Sequence, residues 1–213
     1  MARKKKPSGD KRRDKGRKSG RRTSQSRELR PRFLIVCEGE KTEKNYFEHF
    51  RVNGKVKTVG AGLNTTKLVE KAKNIRNYDI NRGEEYTDVW VVFDLDDYLP
   101  ADFNKAIAQA KNAKIKPAYS NESFELWFLL HFQSMIGNTI DRDRYYEILS
   151  EKLGKDYEKT DRDLYQNLLP LRAKAIRNAE ELMKEYEENH NPAQDKPCTT
   201  VYKLVQELKK YER

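Results

Sequence analysis

Two stretches of this sequence are apolar at every position and run straight into carboxylates. Phe33-Leu34-Ile35-Val36-Cys37 is followed by Glu38-Gly39-Glu40-Lys41-Thr42-Glu43, and Val89-Trp90-Val91-Val92-Phe93 by Asp94-Leu95-Asp96-Asp97. A strand that alternates apolar and polar residues covers one face of a sheet. A strand that is apolar throughout is buried on both faces, as in a parallel sheet covered by helices on either side. Two such strands in one chain exclude a purely helical fold and a one-sided antiparallel sheet.

The segments between them have helical spacing. Glu43, Tyr46, Phe47 and Phe50 fall on one face, with Thr42 as a candidate N-cap. Lys55 to Val59 nearly alternates, and Gly60 and Gly62 close it. Leu68, Val69, Ala72 and Ile75 mark an amphipathic helix behind Asn64 or Thr65. Phe103, Ala106, Ile107 and Ala110 mark another, and Lys116 to Ser120 reads as a fourth strand. This rhythm predicts an α/β core over residues 31–133, with a parallel sheet and right-handed crossovers. Phe124 to Phe132 is apolar almost all round, which predicts a buried helix. Beyond Asp141 only helices are expected. Leu164, Leu168, Leu171, Ala175, Ala179, Leu182 and Tyr186 share a face, with Pro170 starting or kinking a helix. Val201, Leu204, Val205 and Leu208 form a last helix. Residues 134–213 therefore read as a helical C-terminal extension packed on the core.

Charge divides the chain differently. Residues 1–30 carry 14 Lys and Arg against 3 Asp and Glu, and the other 183 residues carry 30 against 31. Apart from Met1, the first 30 residues contain one large apolar side chain, Leu29, so they read as a disordered basic tail on a nearly neutral body. Lys4, Lys5, Lys6, Lys11, Arg12, Arg13, Arg21 and Arg22 suit a nucleic-acid phosphate backbone, bound without regard to base sequence. A merely solubilising extension is the alternative. No apolar run is long enough to span a membrane, and no apolar segment follows the basic start as in a secretory signal. Two distant cysteines, Cys37 and Cys198, make neither a disulfide framework nor a zinc site, which points to the cytoplasm.

In open α/β sheets, ligands bind beyond the carboxyl ends of the strands. Glu38 follows the first strand and Asp94 and Asp96 the third. In extended backbone Asp94 and Asp96 point to one side. If the two strands are neighbours, Glu38 stands beside them, and Gly39 lets the chain turn away. Carboxylates driven together repel and lose hydration, and a divalent cation between them offsets both costs. Magnesium takes one or two carboxylates plus waters and substrate phosphates. The plainer alternative is that Glu40 and Glu43 favour the positive end of the next helix and nothing more.

The order and spacing of these groups resemble the Toprim domain, whose signature is a Glu after the first strand and an Asp-x-Asp after the third. Leu34 to Glu43, Phe93 to Asp97, Ser120 to Trp127 and Leu130-His131-Phe132 more closely resemble RloB-like proteins. That resemblance covers residues 31–213. It implies a Toprim-like Rossmannoid sheet and a metal-dependent nuclease that cuts RNA such as tRNA, or DNA. It places the protein in bacterial abortive infection or phage defence, beside an ATPase of the ABC or SMC type. It implies that Glu38, Asp94 and Asp96 are catalytic and hold Mg2+ or Mn2+, with Asp97 as a spare ligand and Lys41 on a phosphate oxygen.

Glu125 lies among Phe124, Leu126, Trp127 and Phe128, so it needs a partner, either the metal or a basic residue. Glu122, with Ser120 or Asn121 as the cap, is expected at the start of that helix. His131 is expected as a core histidine. The C-terminal helices are expected to pack on the sheet, ahead of binding substrate or forming a homodimer. Arg172, Lys174 and Arg177 are a candidate phosphate patch or a solvated face. Two other functions compete with the nuclease. One is a non-catalytic nucleic-acid-binding or sensor module. The other is a phosphatase-like enzyme with an aspartyl nucleophile.

Overall fold

The computed structural model describes residues 30–96, 98–161, 163–186 and 188–213. The basic residues from Lys4 to Arg22, and Asp97, lie outside them. The elements run β1 Arg32–Cys37, α1 Thr42–Glu48, β2 Lys55–Gly60, α2 Thr65–Ile80, β3 Asp88–Asp94, α3 Pro100–Asn112, β4 Lys116–Asn121 and α4 Glu125–Phe132. There follow α5 Arg142–Leu153, α6 Leu164–Leu168, a 3-10 turn Leu169–Leu171, α7 Arg172–Lys184, β5 Cys198–Thr199 and α8 Val201–Lys209.

The strands form one sheet in the order β2-β1-β3-β4-β5. The first four are parallel, and β5 is antiparallel to β4. The fold is the expected α/β arrangement. Alternate residues of the apolar strands enter two cores. Phe33, Ile35, Cys37, Trp90 and Val92 pack with α1 and with the helices from α4 onward. Leu34, Val36, Val89, Val91 and Phe93 pack with α2 and α3. Each strand thus buries both faces, which is why no polar residue interrupts it.

The structure departs from expectation after β4. Cys198 and Thr199 join the sheet, opposite Asn121 and Ser120. Residues 134–213 are therefore not all-helical, and both sides of position 133 contribute to one core. A two-residue strand leaves no periodicity to read. Ser120 and Asn121 belong to β4 and do not cap α4. The Ser120 hydroxyl meets that of Thr199 at 3.0 Å, and the Asn121 amide donates to the carbonyls of Pro192 and Asp195 at 3.1 Å. The N-cap of α1 is Lys41, with Thr42 the first helical residue. Among the described residues, no helix is long and apolar enough to cross a membrane.

Candidate active site

β1 and β3 are neighbours in parallel register, with Cys37 opposite Val92. The winding reverses between them, since β2 lies on one side of β1 and β3 on the other. That reversal opens a crevice at the carboxyl ends. The Glu38 N–H still donates to the Val92 carbonyl at 2.8 Å, so the ladder runs one residue past the strand. This sets Glu38 against Asp94. The Asp94 N–H donates to Glu38 Oε2 at 3.2 Å, and Tyr98 lies close enough to hold the Glu38 pKa down. Asp94 Oδ2 accepts the Phe124 N–H at 3.0 Å, at the start of α4. The remaining oxygens, Glu38 Oε1 and Asp94 Oδ1, are buried and have no hydrogen-bond partner.

Two further carboxylates approach from the helices. Glu43 comes from the first turn of α1 and Glu125 from the first residue of α4, and both are buried. A Cβ at Gly39 would meet the Glu43 carboxylate and push that side chain aside. Glu125 accepts the Tyr157 hydroxyl at 3.0 Å, and Lys159 Nζ lies 3.9 Å away. Burial pushes the Glu43 carboxyl up to about 7, opposed by its own backbone N–H and reinforced by Glu125 and Glu38. Burial also drives Asp94 well above the carboxylate range, with Glu43, Glu125 and Glu38 adding to it. Glu38 is raised by burial, against the pull of Tyr98 and the Asp94 N–H. These groups line a cleft of about 490 Å³ that also takes in Lys41, Arg142 and Lys159.

Asp96 does not follow the expected alternation. β3 ends at Asp94, and Asp96 has φ of 39°, a left-handed turn conformation that aspartate tolerates better than most residues. Its carboxylate pairs with Arg142 of α5. Among the described residues, no three His, Cys, Asp or Glu side chains form a ready metal cage. The residues do fit a hard cation that keeps its waters. Glu38 Oε1 and Asp94 Oδ1 are two oxygen donors at one crevice, each lacking a partner.

The structure brings together Glu38, Asp94, Asp96, Glu125 and Lys41 from the expected set at one cleft, with Asp96 paired there to Arg142. It adds Glu43, Tyr98, Arg142, Tyr157 and Lys159, which sequence reasoning did not single out as site residues. Glu43 had a readable signal, since it shares its helical face with Tyr46, Phe47 and Phe50, all three buried. The others come from a turn or from distant segments and carried none. Glu122 is no helix-end acid. It accepts Lys196 Nζ at 2.5 Å and the Arg142 N–H at 3.0 Å, which ties α5 to the loop before β5. Arg172 is buried and paired with Glu212, and Lys174 donates to the Phe132 carbonyl at 2.5 Å, so both serve packing, while Arg177 is exposed. His131 is a core histidine as expected. Its Nδ1 lies 2.9 Å from the Trp127 carbonyl, and burial lowers its pKa to about 4.

No curated protein matches the chain. A family model described as RloB-like protein matches residues 33–208, from the first strand into the last helix. The match includes both acidic strand ends and the α4 segment that closes over them, and on this ground the chain belongs to the RloB-like family.

Proposed function

We propose that the chain is a divalent-metal-dependent nuclease that cleaves phosphodiester bonds, in RNA such as tRNA ahead of DNA. In this reading it is the effector of a bacterial anti-phage abortive-infection system and is restrained by an ABC- or SMC-type ATPase. The observation that carries the reading is the pair of unpartnered buried oxygens, Glu38 Oε1 and Asp94 Oδ1, at the ends of adjacent parallel strands. Bound there, Mg2+ or Mn2+ supplies Lewis-acid polarisation of a phosphodiester and a more acidic water. Glu38 and Asp94 hold the ion. Glu43, which titrates at about 7, holds or releases a proton at its carboxyl near the reacting oxygens. Lys41, Arg142 and Lys159 neutralise non-bridging phosphate oxygens, and Asp96 orients Arg142. Restraint by an ATPase follows from the hazard that a free nuclease poses to its own cytoplasm.

The ion pair between Asp96 and Arg142 favours a second reading, a non-catalytic nucleic-acid-binding or sensor module, because it occupies an expected ligand. One experiment separates the two. Full-length wild type, Glu38→Gln and Asp94→Asn are incubated with total tRNA, other RNA and plasmid, in magnesium, in manganese and in chelator. Cleavage by wild type is expected in either metal and not in chelator, and each variant is expected to lose about a hundredfold or more. Undiminished cleavage by both variants sinks the site. Binding without cleavage under every condition supports the second reading.

A further inference from the structure

β5 pairs with Ser120 and Asn121, and among the described residues no strand lies beside the earlier part of β4 on that side. A cleft of about 500 Å³ lies there, with Trp90 and Pro117 in its wall and Lys111, Lys114, Lys116 and Lys203 around it. Two separate segments supply these lysines. Lys111 is in the last turn of α3 and Lys114 just beyond it, Lys116 opens β4, and Lys203 is on α8. No carboxylate is among the described residues that line the cleft. Lys116 pairs with Asp88 at 2.7 Å and stands over the Trp90 ring at 5.3 Å. Among the described residues, Lys111, Lys114 and Lys203 have no ion-pair partner. Lys114 has φ of 55°, a conformation in which glycine is the ordinary residue. The Trp90 indole N–H, buried beside the same cleft, has no acceptor.

Four ammonium groups around a partly apolar wall repel one another, and nothing described at the cleft neutralises three of them. A row of phosphates does so. Their spread over the α3–β4 stretch and the distant α8 suits a chain of phosphates better than one small anion, and the apolar wall suits sugars and bases of an unpaired strand. We propose that this cleft binds the phosphodiester backbone of single-stranded nucleic acid, apart from the carboxylate cleft. Lys116 lies about 13 Å along β4 from Ser120, at about 3.3 Å per residue, and Ser120 is the residue paired with Asp94. The proposal rests on reading the chain as one that acts on nucleic acid, but it concerns binding and not cleavage.

The test measures binding of the full chain to a fluorescent single-stranded RNA, in chelator and over a range of salt. Chelator keeps the result independent of whether the chain is a nuclease. The triple variant Lys111→Gln, Lys114→Gln and Lys203→Gln is compared with a control triple of equal charge change, Lys67→Gln, Lys71→Gln and Lys105→Gln, all exposed on α2 and α3. The cleft triple is expected to weaken binding about tenfold or more and to lower the slope of log K against log salt by about two. The control triple is expected to change affinity less than about twofold. Equal losses in both triples would mean that net charge alone acts, and would overturn the proposal. ATP or polyglutamate displacing the RNA from wild type as well as unlabelled RNA does would also overturn it, in favour of a mononucleotide site or an acidic protein partner. Far-ultraviolet circular dichroism of both triples confirms that the exposed substitutions leave the fold intact.

Discussion

Glu43 is an acid whose chemistry is set by what surrounds it. In an unfolded chain it titrates near 4.5, and in the fold it is raised to about 7. Between those values the folded state keeps a proton that the unfolded state gives up, so stability falls as pH rises through that window. Asp94 and Glu38 are raised too and act in the same direction. The protein is therefore expected to melt at a lower temperature at about pH 8 than at about pH 5. Glu43→Gln is expected to raise the melting temperature by a few degrees at about pH 8 and to leave it nearly unchanged at about pH 5. Melting curves of both proteins at both pH values check this, and an equal gain at both would refute the assignment. On the proposed metal site, magnesium bound to the folded form would add stability by mass action, so millimolar magnesium at about pH 8 is expected to raise the wild-type melting temperature and not that of Asp94→Asn, which would lack a charged ligand.

At the level of the element, α4 shows how the C-terminal segment completes the site. The helix is apolar on nearly every side, and Glu125, Leu126, Trp127, Phe128, Leu129, Leu130 and His131 are all buried. α7 supplies donors to its last carbonyls. The Asn178 amide donates to the Leu130 carbonyl at 2.7 Å, and Lys174 donates to that of Phe132 at 2.5 Å. Asn178→Ala removes a buried donor and leaves a buried carbonyl unpaired, so a loss of about 1–3 kcal/mol is expected in urea unfolding. A loss below about half a kcal/mol would mean that water or another group takes the place of Asn178. The sequence showed that α4 is buried, because no polar stripe interrupts it. It did not show what caps the helix, because Asp94 and Asn178 lie far from it in the chain.

On the scale of the whole molecule, the sheet carries opposite charges at different places. Carboxylates cluster at the ends of β1 and β3, and lysines gather around the start of β4. The chain does not divide into an independent core and an appendage. Cys198 and Thr199 extend the sheet, and Leu182, Leu204 and Leu208 enter the same core as Phe33 and Trp127. A chain ending at residue 133 is therefore expected to expose that core and to lack cooperative unfolding, as read by calorimetry and dye binding. A sharp melting transition in that fragment would contradict the shared core. What the sequence determined by itself was whatever depends on near neighbours. Unbroken apolar runs fixed the doubly covered parallel strands, helical spacing fixed the crossovers, and the residues just after two strands marked the acidic crevice. Tertiary structure alone decided that Asp96 faces Arg142, that Glu43 and Glu125 stand with Asp94, and that Lys159 reaches the cleft. Those choices turn on desolvation and Coulomb forces between side chains far apart in the chain, and these forces act only once folding has brought the groups within a few ångströms of one another.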